Sequence, residues 1–213
     1  MSRTSFQLAM CLNLTIGITG GIGSGKSVVS RVLRCNGFKV YDCDSEAKKL
    51  MERDQEVRET LIGRFGNDIY LANGHLNRTL LASYIFTDAA NREFVNKVVH
   101  SAVRNDIIRL RAQIDGWLFI EAAILASGGI SQFCSQVWIV TAPETERIRR
   151  VRLRDNLSLE EISKRLRIQE RELELLENEN TLFLENNGKN PLLPEILTLT
   201  NRIKNNQTYI LSC

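Results

Sequence analysis

The apolar residues of the chain fall into five short runs separated by amphipathic stretches. The runs cover residues 14–19, 38–41, 117–120, 137–140 and 181–184. They are rich in β-branched and aromatic side chains and do not alternate with polar ones, as expected for strands covered on both faces of a parallel sheet. The apolar residues between the runs recur at helical spacing. The pattern therefore predicts an α/β fold with a five-stranded parallel sheet.

Two intervals between the predicted strands are longer than a single crossover helix requires. Residues 45–114 are mainly helical and predict an inserted helical domain that holds a substrate. Residues 143–178 are helical and highly charged, and predict a helical lid. The nucleotide-binding core then consists of residues 14–44, 115–142 and 179–213, preceded by an N-terminal extension over residues 1–13.

The first predicted strand leads directly into a glycine-rich loop. Residues 20–27 read GGIGSGKS, which matches the phosphate-binding pattern G-x-x-x-x-G-K-[ST]. Glycine permits positive φ angles and lets backbone N–H groups approach phosphate oxygens closely. An amphipathic helix follows from Ser27 to Leu33 and is predicted to stop at Asn36-Gly37. Strand, loop and helix together favour a nucleoside triphosphate site, a P-loop NTPase core, over a glycine-rich surface turn.

The loop assigns specific roles to two of its residues. Lys26 is expected to reach the outer phosphates, and the hydroxyl of Ser27 to ligate Mg²⁺. The residues predicted to contact the nucleotide here are Gly21, Ile22, Gly23, Ser24, Gly25, Lys26, Ser27 and Val28.

Two aspartates, Asp42 and Asp44, follow the second predicted strand. Ligands of open α/β sheets bind at the carboxyl ends of the strands, so both carboxylates are expected near the phosphates. There they could accept a hydroxyl proton or hold Mg²⁺ through water. Helix capping is the alternative: Asp44-Ser45-Glu46-Ala47 precedes a predicted helix and Asp44 would be its N-cap, which explains one aspartate but not both. Glu121 ends the third strand at the same edge, either as a Mg²⁺-associated acid or as an ordinary strand-end charge.

Arginines crowd the interval after the fourth strand. Helical spacing places Arg147, Arg150 and Arg154 on one face. Capping boxes are predicted at residues 141–144 and 158–161. Arginines on a lid can stabilise a transferring phosphoryl group, whereas the near balance of acidic and basic residues also fits two solvated surface helices.

Two further positions have open assignments. His100, on a predicted helix of the insertion, is either a packed residue or a substrate contact. Asn186 and Asn187 follow the fifth strand, in a turn whose position allows one of them to contact an adenine.

Composition and motif content argue against several other classes of protein. The net charge of +3 and the absence of an aromatic-interleaved basic patch argue against a nucleic-acid partner. No apolar run is long enough to predict a membrane span. Five scattered cysteines without a C-x-x-C pair predict no zinc site and fit a reducing cytoplasm. A regulatory GTP-binding switch would need N-K-x-D and D-x-x-G motifs, and neither follows the loop.

Together these residues resemble the dephospho-coenzyme A kinase family over residues 14–190. The resemblance rests on the loop motif, Asp42-Cys43-Asp44, Phe65-Gly66, Asn73-Gly74, Arg78, His100, Ala142-Pro143-Glu144, Arg150, Arg154-Asp155, Gln169 and Asn186-Asn187-Gly188. The chain departs from the family pattern at Ser101, where proline is usual, in the run after Glu121, and at Glu185, where aspartate is usual.

The resemblance implies transfer of the γ-phosphate of ATP, with Mg²⁺, to the ribose 3′-hydroxyl of dephospho-coenzyme A. It implies that Asp44 is the base and Asp42 supports it, that Arg154 and Arg150 close on the phosphates, and that His100 lies on the substrate side. A monomer or a weak homo-oligomer is expected. The alternative within this class is a nucleoside or sugar kinase, which the long helical insertion disfavours because that insertion suits a bulky acceptor.

Overall fold

A computed structural model describes residues 15–155, 158–176 and 180–211, with side chains up to residue 205. The predicted N-terminal extension, residues 1–13, lies outside the described residues. No helix among the described residues has the length and apolar character needed to cross a membrane.

Five strands form one parallel sheet, as predicted. In spatial order β2, β3, β1, β4 and β5 lie side by side, so β1 occupies the centre. Ile18 of β1 is level with Glu121 of β3 on one side and with Trp138 of β4 on the other. The strands are β1 Thr15–Thr19, β2 Lys39–Asp42, β3 Leu118–Glu121, β4 Gln136–Thr141 and β5 Thr181–Glu185.

The described residues also form eight α-helices. Four lie between β2 and β3, which confirms that the long interval is helical. The helices are α1 Lys26–Cys35, α2 Cys43–Arg53, α3 Gln55–Phe65, α4 Arg78–Thr87, α5 Ala89–Arg111, α6 Glu144–Asp155, α7 Leu159–Glu174 and α8 Leu192–Leu211. Helix α1 ends at Cys35, with the predicted stop residue Asn36 as its C-cap, and Gly37 follows with φ +84°.

The chain divides into two compact units, each with its own core. One contains the described residues up to Tyr41 and from Gln113 onward, and the other contains residues 42–112. In the first, the buried faces of β1, β3 and β4 pack with α1 and α8. In the second, apolar side chains of α2–α5 pack together.

One of the two predicted capping boxes is present. Ser158 accepts a hydrogen bond from the N–H of Glu161, whose side chain binds back to Ser158. The box predicted at residues 141–144 is wrong. Thr141 remains in β4, level with Glu185, because strand pairing continues through it, and α6 begins only at Glu144.

We expect Trp138→Ala to destabilise the first unit by about 3–5 kcal/mol, because the indole is fully buried and packs edge-on against Phe119 at 5.3 Å between ring centroids. Chemical denaturation measures the change. Phe183→Ala is the control, since that ring on β5 is 52% exposed and its loss should cost much less. Equal losses would contradict a core centred on β4.

Candidate active site

The loop between β1 and α1 depends on glycine conformations. Gly23 has φ +77° and Gly25, the residue before α1, has φ +106°. Both values lie in the region that side chains other than glycine rarely adopt. A Cβ on Gly23 would also lie 2.5 Å from the backbone oxygen of Arg147. The motif glycines are therefore required by backbone conformation and by close packing.

The carbonyl oxygens at the start of the loop are held by the loop itself. The Nζ of Lys26 donates to the carbonyls of Gly20 at 2.6 Å and Gly21 at 3.3 Å, and the N–H of Ser24 donates to Gly21 at 3.1 Å. These hydrogen bonds hold the ammonium group of Lys26 at the mouth of the loop. Lys26 is the residue that the motif assigns to the outer phosphates.

The next carbonyls are held by the helical hairpin formed by α6 and α7. Arg147 donates through Nε to the carbonyl of Ile22 at 3.1 Å. Arg150 donates through Nη1 to the carbonyls of Gly23 at 3.3 Å and Ser24 at 3.5 Å. Each carbonyl from residue 20 to residue 24 thus accepts a hydrogen bond from a protein donor.

Asn186, just after β5, completes this set. Its Nδ2 donates to the carbonyl of Ser24 at 2.8 Å, and its own carbonyl accepts from Nη2 of Arg150 at 3.1 Å. The neighbouring Asn187 instead accepts from the N–H groups of Lys189 and Asn190, which forms a local turn. The structure therefore brings Asn186, rather than Asn187, to the loop.

Because its carbonyls are paired with protein donors, the loop is suited to an anion. Among the described residues, the N–H groups of Gly23 and Gly25 have no hydrogen-bond partner. Helix α1 starts immediately behind them, and a helix N-terminus attracts phosphate through its unsatisfied N–H groups and dipole. The site can hold the phosphates of a nucleotide.

The hairpin also contacts the loop through apolar packing. The side chain of Ile22 is buried against Ile148, Val151, Ile162 and Leu166, all from α6 and α7. The pKa of Arg147 is lowered, mainly because burial disfavours its charge, and Glu170 and Glu144 partly oppose that shift. Its Nη2 is buried and has no hydrogen-bond partner among the described residues.

The residues fit a magnesium ion carried by a nucleotide. The Ser27 hydroxyl is exposed in the first turn of α1 and has no partner among the described residues. No cluster of three or more metal-binding side chains occurs in the described part of the chain. One protein ligand together with phosphate oxygens and waters is the usual way in which proteins bind Mg²⁺. Glu121, half-buried at the end of β3, lies on the strand next to β1.

The two aspartates differ in their contacts. Asp42 is the N-cap of α2 and accepts from the N–H of Ser45 at 3.1 Å and from its hydroxyl at 2.8 Å. Asp44 is exposed in the first turn and has no hydrogen-bond or ion-pair partner among the described residues. Capping therefore accounts for Asp42 and leaves the Asp44 carboxylate available for chemistry.

Among the described residues, Arg154 makes no hydrogen bond to the loop. Arg154 is 63% exposed and pairs with its neighbour Asp155, which raises the pKa of the guanidinium. His100 is half-buried on α5 of the second unit. Helical spacing predicted that Arg147 and Arg154 lie on one face of the helix, and the sequence alone does not show which of them reaches the loop. Only the packing of the helix against the loop shows that it is Arg147.

Comparisons with known proteins agree with this geometry. Residues 14–191 match the dephospho-CoA kinase family. A dephospho-CoA kinase from Porphyromonas gingivalis is 41% identical over 192 residues, covering 90% of this chain and 95% of the relative. Another from Streptococcus pneumoniae is 36% identical over 185 residues, with coverages of 85% and 92%.

Solved structures show the same fold. A protein from Thermus thermophilus superposes with a TM-score of 0.73 at 32% identity, over 89% of this chain and 97% of its own. A dephospho-CoA kinase from Campylobacter jejuni gives a TM-score of 0.67 at 20% identity, over 91% and 99%, a similarity of fold.

The parallel sheet, the glycine loop and the helical hairpin together define a P-loop kinase. The matching family and the similar relatives specify the kind of kinase. The chain belongs to the dephospho-CoA kinase family. Its activity is the ATP-dependent phosphorylation of dephospho-CoA to CoA, so the alternative of a nucleoside or sugar acceptor is set aside.

We expect Gly23→Ala to weaken ATP binding at least about tenfold, because the added Cβ would both strain φ and displace the backbone at Arg147. Isothermal titration with ATP measures the affinity. Gly37→Ala is the matched control: φ is +84° there, but no atom lies within 4 Å of the added Cβ. It should lose about 1 kcal/mol of stability and keep ATP affinity. Equal affinities in the two variants would contradict the assigned packing.

Proposed function

We propose that the chain transfers the γ-phosphoryl group of ATP in line to the ribose 3′-hydroxyl of dephospho-CoA, with the loop at residues 20–27 holding the donor. The observation that carries this proposal is that five successive loop carbonyls, from Gly20 to Ser24, each accept a hydrogen bond from a protein donor. Carbonyls that are already paired leave the unpaired N–H groups of Gly23 and Gly25 available to a phosphate chain.

Charge on the transferring group is balanced by basic side chains. Lys26, whose ammonium group lies at the carbonyls of Gly20 and Gly21, reaches the outer phosphates of ATP from that position. Arg150 already lies at the loop and supports the phosphates, and Arg154 approaches when the hairpin closes. Such cations stabilise the transition state by several kcal/mol in water-excluded sites. A closed hairpin also excludes water that would hydrolyse ATP without an acceptor.

Ser27 is the proposed residue that would hold Mg²⁺, and Glu121 on the neighbouring strand is the acid that would lie near it. When bound, Mg²⁺ neutralises charge on the phosphate oxygens. These assignments are supported by the exposed, unpaired hydroxyl of Ser27 and by the position of β3 next to β1.

Asp44 is the proposed base that accepts the proton of the 3′-hydroxyl. The support is its unpaired carboxylate, in contrast with Asp42, which fixes the start of α2 and so orients Asp44. His100 is proposed to contact the acceptor. The monomeric or weakly associated state, the lack of nucleic-acid partners and a cytoplasmic location stay predictions.

We expect Asp44→Asn to lower kcat about 10²–10⁴-fold while KM for ATP changes less than about twofold, because an amide cannot accept the proton. A coupled assay of ADP release with dephospho-CoA measures both. Glu46→Gln is the control, since this acid in the same helical turn pairs with Lys49. A large loss of ATP affinity in Asp44→Asn would instead assign Asp44 to the metal.

We expect Ser27→Ala to raise the Mg²⁺ concentration required for half-maximal rate by about tenfold, because a protein ligand of the ion is lost. Rates measured against Mg²⁺ at fixed ATP give this concentration. Ser27→Thr retains the hydroxyl and should behave like the parent enzyme. Superimposable Mg²⁺ curves for all three proteins would remove Ser27 from the metal site.

A further inference from the structure

The backbone around Ile22 is intrinsically soft. Gly21 and Gly23 flank it, and glycine populates positive and negative φ about equally. The two peptide planes that carry the N–H and the C=O of Ile22 can therefore rotate with little steric resistance. If the Ile22 carbonyl turned inward, its partial negative charge would face the phosphates of a bound nucleotide.

Two side chains of the hairpin form hydrogen bonds to these peptide planes, one with the N–H and one with the C=O of Ile22. The N–H of Ile22 donates to Oε1 of Gln169, which lies on α7. The carbonyl of Ile22 accepts from Nε of Arg147, which lies on α6, at 3.1 Å. We call this pair of contacts the Ile22 clamp. It takes one residue from each helix, so it forms only when both helices are docked on the loop.

The side chain of Ile22 adds an apolar contribution to the clamp. It is 8% exposed and contacts Val151 of α6 together with Ile162 and Leu166 of α7. These residues form a small core separate from the core of the sheet. Docking of the hairpin thus removes apolar surface from water and fixes the Ile22 peptides at the same time.

We propose that Arg147 and Gln169 are positioning residues that couple hairpin docking to the nucleotide-binding conformation of the loop. The proposal rests on the nucleotide role of the loop stated above. Thermodynamic linkage makes the coupling reciprocal: a nucleotide that requires the clamped loop favours the docked hairpin, and a docked hairpin raises nucleotide affinity. Arg147 and Gln169 contact the loop assigned to the donor, so we expect the clamp to affect the affinity for ATP more than that for dephospho-CoA.

Arg147 acts in this scheme as a hydrogen-bond donor to a carbonyl, not as a charge on the phosphates. Removing the donor leaves the Ile22 carbonyl without its partner, and removing the acceptor at Gln169 does the same to the Ile22 N–H. A buried polar group left unpaired typically costs enough to change an equilibrium by about tenfold or more. Since either loss releases the same peptides, the two changes are not additive.

The test uses Arg147→Met, Gln169→Leu and the double variant in the full-length protein. We expect each to raise KM for ATP about tenfold, with KM for dephospho-CoA changed less than about twofold, and the double variant to be no worse than about twice either single one. Arg149→Met, on the same helix but paired with Glu146, and Gln132→Leu, whose side chain binds Gly129, are the matched controls.

A fourth variant separates hydrogen bonding from charge. Arg147→Gln lacks the charge but keeps an N–H donor for the Ile22 carbonyl, and should stay within about threefold of the parent KM for ATP. If Arg147→Gln is as impaired as Arg147→Met, Arg147 acts through its charge and the clamp is refuted. Unchanged KM for ATP in Arg147→Met and Gln169→Leu also refutes it.

A second measurement does not depend on turnover. Hydrogen exchange of α6 and α7 amides is compared with and without ADP. The parent protein should show slower exchange with ADP, and Arg147→Met and Gln169→Leu should lose that difference at saturating ADP while retaining the parent's circular dichroism. A difference that persists in both variants overturns the coupling. Failure of the parent to bind ADP would instead refute the proposed nucleotide role of the loop.

Discussion

The central constraint on this structure is that a phosphate chain must not face carbonyl oxygens. A loop of five backbone units has as many acceptors as donors, and a phosphate tolerates only the donors. The fold meets this requirement by giving each carbonyl from Gly20 to Ser24 a donor within the protein. The glycines supply the conformations that make this orientation possible, and the side chains around the loop select it.

Those donors come from three places in the chain. Lys26 belongs to the loop itself, Arg147 and Arg150 come from α6, and Asn186 follows β5. The central position of β1 in the sheet makes this possible, because β4 is its neighbour and β5 is the next strand out. The segments that follow these two strands therefore reach the loop from one side. The hairpin is thus part of the wall of the glycine loop.

The helical unit of residues 42–112 begins with the acid pair. Asp42 satisfies the N–H of Ser45, and this capping leaves Asp44 in the first turn with an unpaired carboxylate. The capping contact of Asp42 thus fixes the start of α2 and, with it, the position of Asp44 on the helix. This division of roles follows from helix geometry, since an N-cap precedes the first turn by definition and only one residue can occupy it.

The amino-acid sequence by itself determined the strands, the loop and the helical character of both long intervals. These features depend on local patterns: apolar runs, glycine spacing and helical periodicity. It also indicated both members of the acid pair, but the N-cap that it favoured, Asp44, is wrong: Asp42 caps α2 and Asp44 lies in the first turn. It misassigned a capping box to Thr141, because a four-residue pattern does not reveal that β4 continues through it.

Only the tertiary structure decided the strand order and which arginines of α6 reach the loop. Periodicity places Arg147, Arg150 and Arg154 on one face, yet the first two contact loop carbonyls while Arg154 pairs with Asp155. The same holds for Asn186 over Asn187 and for Gln169 at the N–H of Ile22. The contacts with the loop join residues more than a hundred positions apart, so their partners are fixed by packing and not by any local pattern.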